Sequence, residues 1–129
     1  MSIAGYQAAQ VTEDPRKTEY RLFAQVTRAL MNVEEADSLD ADFREAIEWN
    51  RRMWNALEID LASDANSLPD ALKAQLISVA MWVERHSAMA LRGEGEVDPL
   101  ITVNRSVMEG LGADAATSDQ VIEAAATAA

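Results

Sequence analysis

The chain has 129 residues, with 11 Lys and Arg against 22 Asp and Glu, so its formal net charge is −11. That balance argues against a nucleic-acid binder, whose affinity rests on neutralising phosphates, and against docking on an anionic membrane surface. One domain of this length can bury a core without covalent staples, and it must, because cysteine is absent. The lack of cysteine fits a cytoplasmic protein, and the first residues do not read as a Sec signal peptide.

Five glycines, three prolines and the absence of β-branched alternation point to helices. Residues 2–11 suit a short helix or arm, weakened by Gly5, with Ile3, Tyr6 and Val11 as its apolar content. Asp14-Pro15 is a helix start, the aspartate as N-cap and the proline pre-set for the first helical position. From there Leu22, Val26, Ala29 and Val33 form one stripe, while Tyr20, Phe23, Thr27, Leu30 and Met31 occupy a second arc. Two apolar arcs require two neighbours.

Glu34, Glu35, Asp37, Asp40 and Asp42 make a short acidic run. It lacks the glycine-centred alternation of a calcium loop and reads as a solvated turn whose last acids favour the next helix start. That helix spans about Asp40 to Ala62, with Phe43, Ile47, Asn50, Trp54, Leu57 and Leu61 as its main stripe. Trp49 and Trp54 point about 140° apart, so one flat core cannot bury both.

A polar break at Ser63-Asp64-Ala65-Asn66-Ser67 follows, with Pro69 and a Ser67/Asp70 pair resembling a capping box. The next helical pattern, from about Leu68 to Leu91, is apolar on nearly all sides around its middle and predicts a central helix. Its stripe is Leu72, Leu76, Val79, Val83, His86 and Ala90. The uncharged run inside it is too short to span a membrane. Gly93-Glu94-Gly95 ends it, Asp98-Pro99 repeats the start signal, and Leu100, Val103, Asn104, Val107 and Leu111 form a last short stripe. Beyond Gly112 the chain is alanine-rich and acidic, and a mobile tail is expected. The expected fold is an all-α domain over residues 1–112 with about four main helices, a short N-terminal helix and a flexible tail over 113–129.

No nucleophile, glycine-rich phosphate loop or histidine–cysteine cluster matches a motif with a mechanism. His86, the single histidine, reads as a helix residue rather than a base or ligand. The expectation is a protein that is not an enzyme and carries no metal or cofactor. Surplus apolar surface and six methionines point instead to binding another protein's amphipathic segment, or to a homodimer.

YQAAQ near the start, then DPRKTEYRLFAQVTRAL, IEWNRRMWNALEIDLASDANSLPDALKAQLISVAMWVERH and DPLITVNRSVMEGL, in that order, resemble the flagellar biosynthesis regulator FlaF family. The resemblance covers roughly residues 1–111. It implies a cytoplasmic, helical, flagellin-binding export chaperone that promotes flagellin synthesis and secretion, linked to the regulator FlbT. Flagellin is the implied partner. On that basis Tyr20, Phe23, Thr27 and Leu30 on one helix, and Trp49 and Met53 on another, are candidate contacts for an amphipathic flagellin segment. Arg52, Asn104 and Arg105 are candidate polar anchors. The competing reading is a post-transcriptional regulator acting through FlbT or on flagellin mRNA. The net charge and the lack of stacking aromatics beside basic residues stand against direct RNA binding.

Overall fold

The computed structural model describes residues 15–111, which form four α-helices and no strand. They are α1 (Pro15–Asn32), α2 (Ala41–Ala62), α3 (Asp70–Leu91) and α4 (Asp98–Leu111). The all-α class and the four main helices are those the apolar stripes predict. The short helix expected over residues 2–11 and the tail expected beyond Gly112 lie outside the described residues.

Local chemistry sets the start of α2 and the end of α3. Asp40 is the N-cap of α2, its carboxylate accepting the N–H groups of Asp42 and Phe43 at 2.9 and 3.1 Å. Two of the donors a helix start leaves unpaired are thereby satisfied. α3 ends in a Schellman motif: Gly93 N–H donates to Ala90 O and Glu94 N–H to Met89 O. Gly93 has φ +77°, a conformation glycine adopts without the penalty a Cβ would bring. The capping box expected at Ser67 does not form. α3 starts at Asp70 with Pro69 at the N-cap and no side-chain cap bond. Asn66 organises that turn instead, accepting from Leu68 N–H at 3.0 Å and donating from Nδ2 to Asp60 at 2.9 Å.

The helices pack in sequence order around one core: α1 adjoins α2, α2 adjoins α3, and α4 returns to lie against α1 while touching α3 more sparingly. α1 and α3 do not adjoin. The helix near residues 68–91 is therefore one wall of the bundle rather than its axis, and the core cluster takes it in only from Val79 onward. The reason lies in lengths. α2 and α3 have 22 residues each, or ~33 Å, whereas α4 has 14, or ~21 Å. After the short turn at 92–97, α4 runs out before it reaches the first turns of α3.

A polar seam crosses this core. Trp54, 1% exposed, meets the ring of Phe23 edge-on with centroids 5.6 Å apart. Its Nε1–H donates to Asn104 Oδ1 at 2.8 Å, and Asn104 Nδ2 donates to Asn50 Oδ1 at 2.8 Å. The bonds tie α2 to α4, which do not adjoin through their backbones. Asn50 Nδ2, Thr27 Oγ1 and Ser87 Oγ are buried without a partner among the described residues. Thus every helix contributes buried polar residues to the interior: Thr27 from α1, Asn50 from α2, Ser87 from α3, and Asn104 and Ser106 from α4. An interior of this kind admits few alternative packings, because sliding one helix would strand amides now bonded to each other.

Candidate partner-binding surface

The structure sorts the nine residues expected to contact a partner into two groups. Phe23, Thr27, Leu30, Met53 and Asn104 are buried. The first four lie on α1 and α2, which pack against each other, and Asn104 on α4 is held inside by its bonds to Trp54 and Asn50, so in this conformation they offer no surface. Tyr20, Arg52 and Arg105 are exposed, and Trp49 is half-buried, packed against the rim of the core. Arg105 Nη2 lies 3.5 Å from Met31 Sδ, so its guanidinium rests along α1. The accessible four are spread over three helices: Tyr20 belongs to α1, Trp49 and Arg52 to α2, and Arg105 to α4. Of the two tryptophans that cannot share a flat core, Trp54 took the interior and Trp49 the edge.

A larger apolar surface that the described residues leave uncovered lies where the apolar stripes predict core. Between Asn55 and Ser78, the paired ends of α2 and α3 and the turn between them, stand five leucines and two isoleucines. Leu61 alone in that stretch is buried. Ile59 is 66% exposed, and Leu57, Leu68, Leu72, Leu76 and Ile77 are half-buried. Leu72 and Leu76 continue the stripe that Val79, Val83 and Ala90 bury lower on the same helix. Along α3 the exposed Met81 extends the apolar surface further. The stripe itself gives no sign of where its cover stops. The sequence signal that would have found this surface is the mismatch between the last helix, bounded by Asp98-Pro99 and Gly110-x-Gly112, and the much longer pattern preceding it.

The polar setting of this hairpin tip is one-sided. Within residues 55–78, Glu58, Asp60, Asp64 and Asp70 stand against one base, Lys73, whose Nζ approaches Ser63 O at 3.5 Å. Among the described residues no group of three or more His, Cys, Asp or Glu is arranged to hold a metal ion. No described helix is long and apolar enough to cross a membrane.

The family model described as flagellar protein FlaF matches residues 2–111. The chain belongs to the FlaF family. The curated proteins and the solved structures compared with it include no match. The match takes in all four helices of this FlaF-family domain, the hairpin tip included, and residues 2–14, and stops where α4 stops.

At the opposite end of the domain, the α1–α2 loop and the α3–α4 turn line an open pocket of about 460 Å³. Its lining includes Glu34, Glu35, Asp37, Glu96 and Asp98. Nearby, Arg44 ties the α1–α2 loop to the end of α3, Nη1 donating to Ser38 O at 3.2 Å and Leu91 O at 3.0 Å. The acidic run thus serves as a connecting loop, with Asp37 Oδ1 accepting Leu39 N–H at 2.8 Å. His86 stacks on Trp82 with centroids 5.0 Å apart, and its Nε2 lies 2.6 Å from Glu96 O. A carbonyl only accepts, so Nε2 carries the proton and the ring pins the α3–α4 turn to α3.

On the flank between α2 and α3, Arg51 Nη1 bonds Glu48 at 2.9 Å, and its Nε and Nη2 grip both oxygens of Glu84. The guanidinium holds the Glu84 carboxyl below its usual value of 4.5, desolvation opposing more weakly. A carboxyl depressed by folding stabilises the native state above its unfolded pKa, and that contribution disappears as pH falls through the folded value. Glu84 is 56% exposed, so screening keeps the effect below about 1 kcal/mol. Glu84→Gln is therefore expected to be slightly less stable than wild type at neutral pH. The gap should close as the pH falls below the usual carboxylate value. Urea unfolding of both proteins at neutral and acid pH checks this, and a gap constant across that range would contradict the assignment.

Proposed function

We propose that this protein is a flagellin-binding cytoplasmic export chaperone and positive regulator of flagellin synthesis and secretion. Membership of the FlaF family supplies the flagellar context. The observation that carries the binding reading is the hairpin tip, where one of seven large aliphatic side chains is buried. Isolated exposed apolar residues are ordinary on a protein surface, but a contiguous group on paired helices is a docking feature. The groove between two helices suits the apolar face of a third, and capture of an amphipathic helix in such a groove is a recurrent recognition mode. A chaperone of this kind would cover a flagellin terminal segment before assembly and keep it from associating with other copies.

Calorimetry with monomeric flagellin, and with flagellin lacking either terminal segment, tests the proposal. Saturable one-to-one binding, lost with one truncation, is the expected result. No heat of binding at concentrations of about tens of micromolar would overturn it. Within the same experiment, Trp49→Ala reports on the edge of the core. The residue is half-buried, so weakened flagellin binding with unchanged thermal stability would make it a contact.

A further inference from the structure

We propose that the hairpin tip formed by residues 57–77 is the docking surface, and that its occupant is an amphipathic helix whose apolar stripe is flanked by lysine or arginine. The proposal rests on the chaperone reading and adds to it the charge of the bound segment. The bed is two packed helix ends, Leu57 and Ile59 on α2 and Leu72, Leu76 and Ile77 on α3, with Leu68 in the turn between them. From Asp70 to Ser78, nine residues or ~14 Å of helix, no residue is buried. That length accommodates two to three turns of a helical partner.

Charge decides among possible occupants. The tip sets four carboxylates, Glu58, Asp60, Asp64 and Asp70, against one ammonium drawn toward the Ser63 carbonyl. A second copy of the chain would bring four acids against four and add to a mutual repulsion set by −11 on each molecule. The chain's own residues 113–129 hold Asp114, Asp119 and Glu123 and no base, so they meet the same repulsion. Residues 2–12 hold no charged side chain and gain nothing from the acidic border. A helix with a basic flank gains both apolar burial and charge complementarity, and its association is accelerated by the field of an acidic protein.

The test uses the full-length chain and two synthetic amphipathic peptides of about 18 residues, ~27 Å as helix, sharing one leucine stripe. One carries lysine beside the stripe and the other glutamate. The lysine peptide is expected to bind at least about tenfold more tightly, with affinity falling steeply as salt is raised to about 0.5 M. Leu72→Gln/Leu76→Gln should weaken both the lysine peptide and flagellin by about tenfold or more while thermal stability holds, since neither side chain is buried. Asp60→Asn/Asp64→Asn/Asp70→Asn should remove most of the salt dependence and retain the fold. Equal affinity for the two peptides would overturn the proposal. So would a sedimenting dimer lost in the double leucine variant, or peptide affinity rising tenfold on deletion of residues 2–12, because either would name a different occupant. Flagellin binding left unchanged by the leucine substitutions would reject this surface and keep the chaperone reading. Binding of the lysine peptide but not of flagellin would reject flagellin and keep the surface.

Discussion

Trp54→Ala is expected to destabilise the domain by about 3–5 kcal/mol, a large part of the stability of an ordinary small domain. The indole is 1% exposed, lies edge-on to Phe23, and fills the gap between α2 and α4 that no close backbone contact spans. Alanine would leave a cavity there and remove the N–H that satisfies Asn104 Oδ1. Trp54→Phe separates the two effects. It keeps an aromatic ring in the core but leaves that buried oxygen without its donor, at a cost of about 1–3 kcal/mol. Urea unfolding followed by circular dichroism measures both variants. A loss below about 1 kcal/mol for Trp54→Ala would show that the interior is not organised around this side chain.

Asn104→Leu is expected to cost about 2–4 kcal/mol even though leucine is apolar and similar in size. Asn104 is fully buried, accepts from Trp54 Nε1 and donates to Asn50 Oδ1. Leucine would strand both partners in a place where water cannot replace the lost bonds. Stability should partly return when Asn50→Leu and Trp54→Phe are added, because the stranded groups are then gone. A double-mutant cycle between positions 50 and 104 should give a coupling of about 0.5–3 kcal/mol. Additivity within about 0.5 kcal/mol would mean that the amides contribute separately and that the seam does not act as a unit.

These two effects bear on function through rigidity. A chaperone that holds a helix in a groove needs the groove's walls fixed, and the proposed groove is built on the outer ends of α2 and α3. The Trp54–Asn104–Asn50 chain anchors α2 just below that end, and the Arg51–Glu84 pair joins α2 to α3 on the flank. The tip is thus an apolar extension of a firmly tied base. Leu61, the buried residue of the tip, is where α2 ends against the turn.

Much of this architecture is legible in the order of the residues. The spacing of Phe43, Ile47, Asn50 and Trp54 identifies the inward face of α2, and all four are buried. Asp40 and Gly93 mark a helix start and a helix end because their local chemistry needs no distant partner. The angular separation of Trp49 and Trp54 foretells that one must stand at an edge. His86 behaves as the half-buried helix residue its place on the stripe implies. The contact residues are harder to place. Phe23, Leu30 and Met53 are apolar residues on wide arcs, and a wide arc suits either a second helix of the same chain or a partner. Here α1 and α2 supply each other with the second helix, and the three side chains disappear between them.

The sequence by itself determined the elements: which stretches become helices, where caps and glycines stop them, and which face of each helix is apolar. Those are local properties, fixed by side-chain period and by hydrogen bonds within a few residues of each other. The tertiary structure alone decided how far the shared core reaches. Leu72 and Val83 lie on one stripe of one helix, yet Val83 is buried and Leu72 is half-open. What separates them is the length of α4, a helix that begins after α3 has ended. Burial depends on what lies opposite a residue in space, and a periodic pattern carries no record of its opposite number. The apolar surface best suited to a partner is therefore the part of a core stripe that the fourth helix is too short to cover.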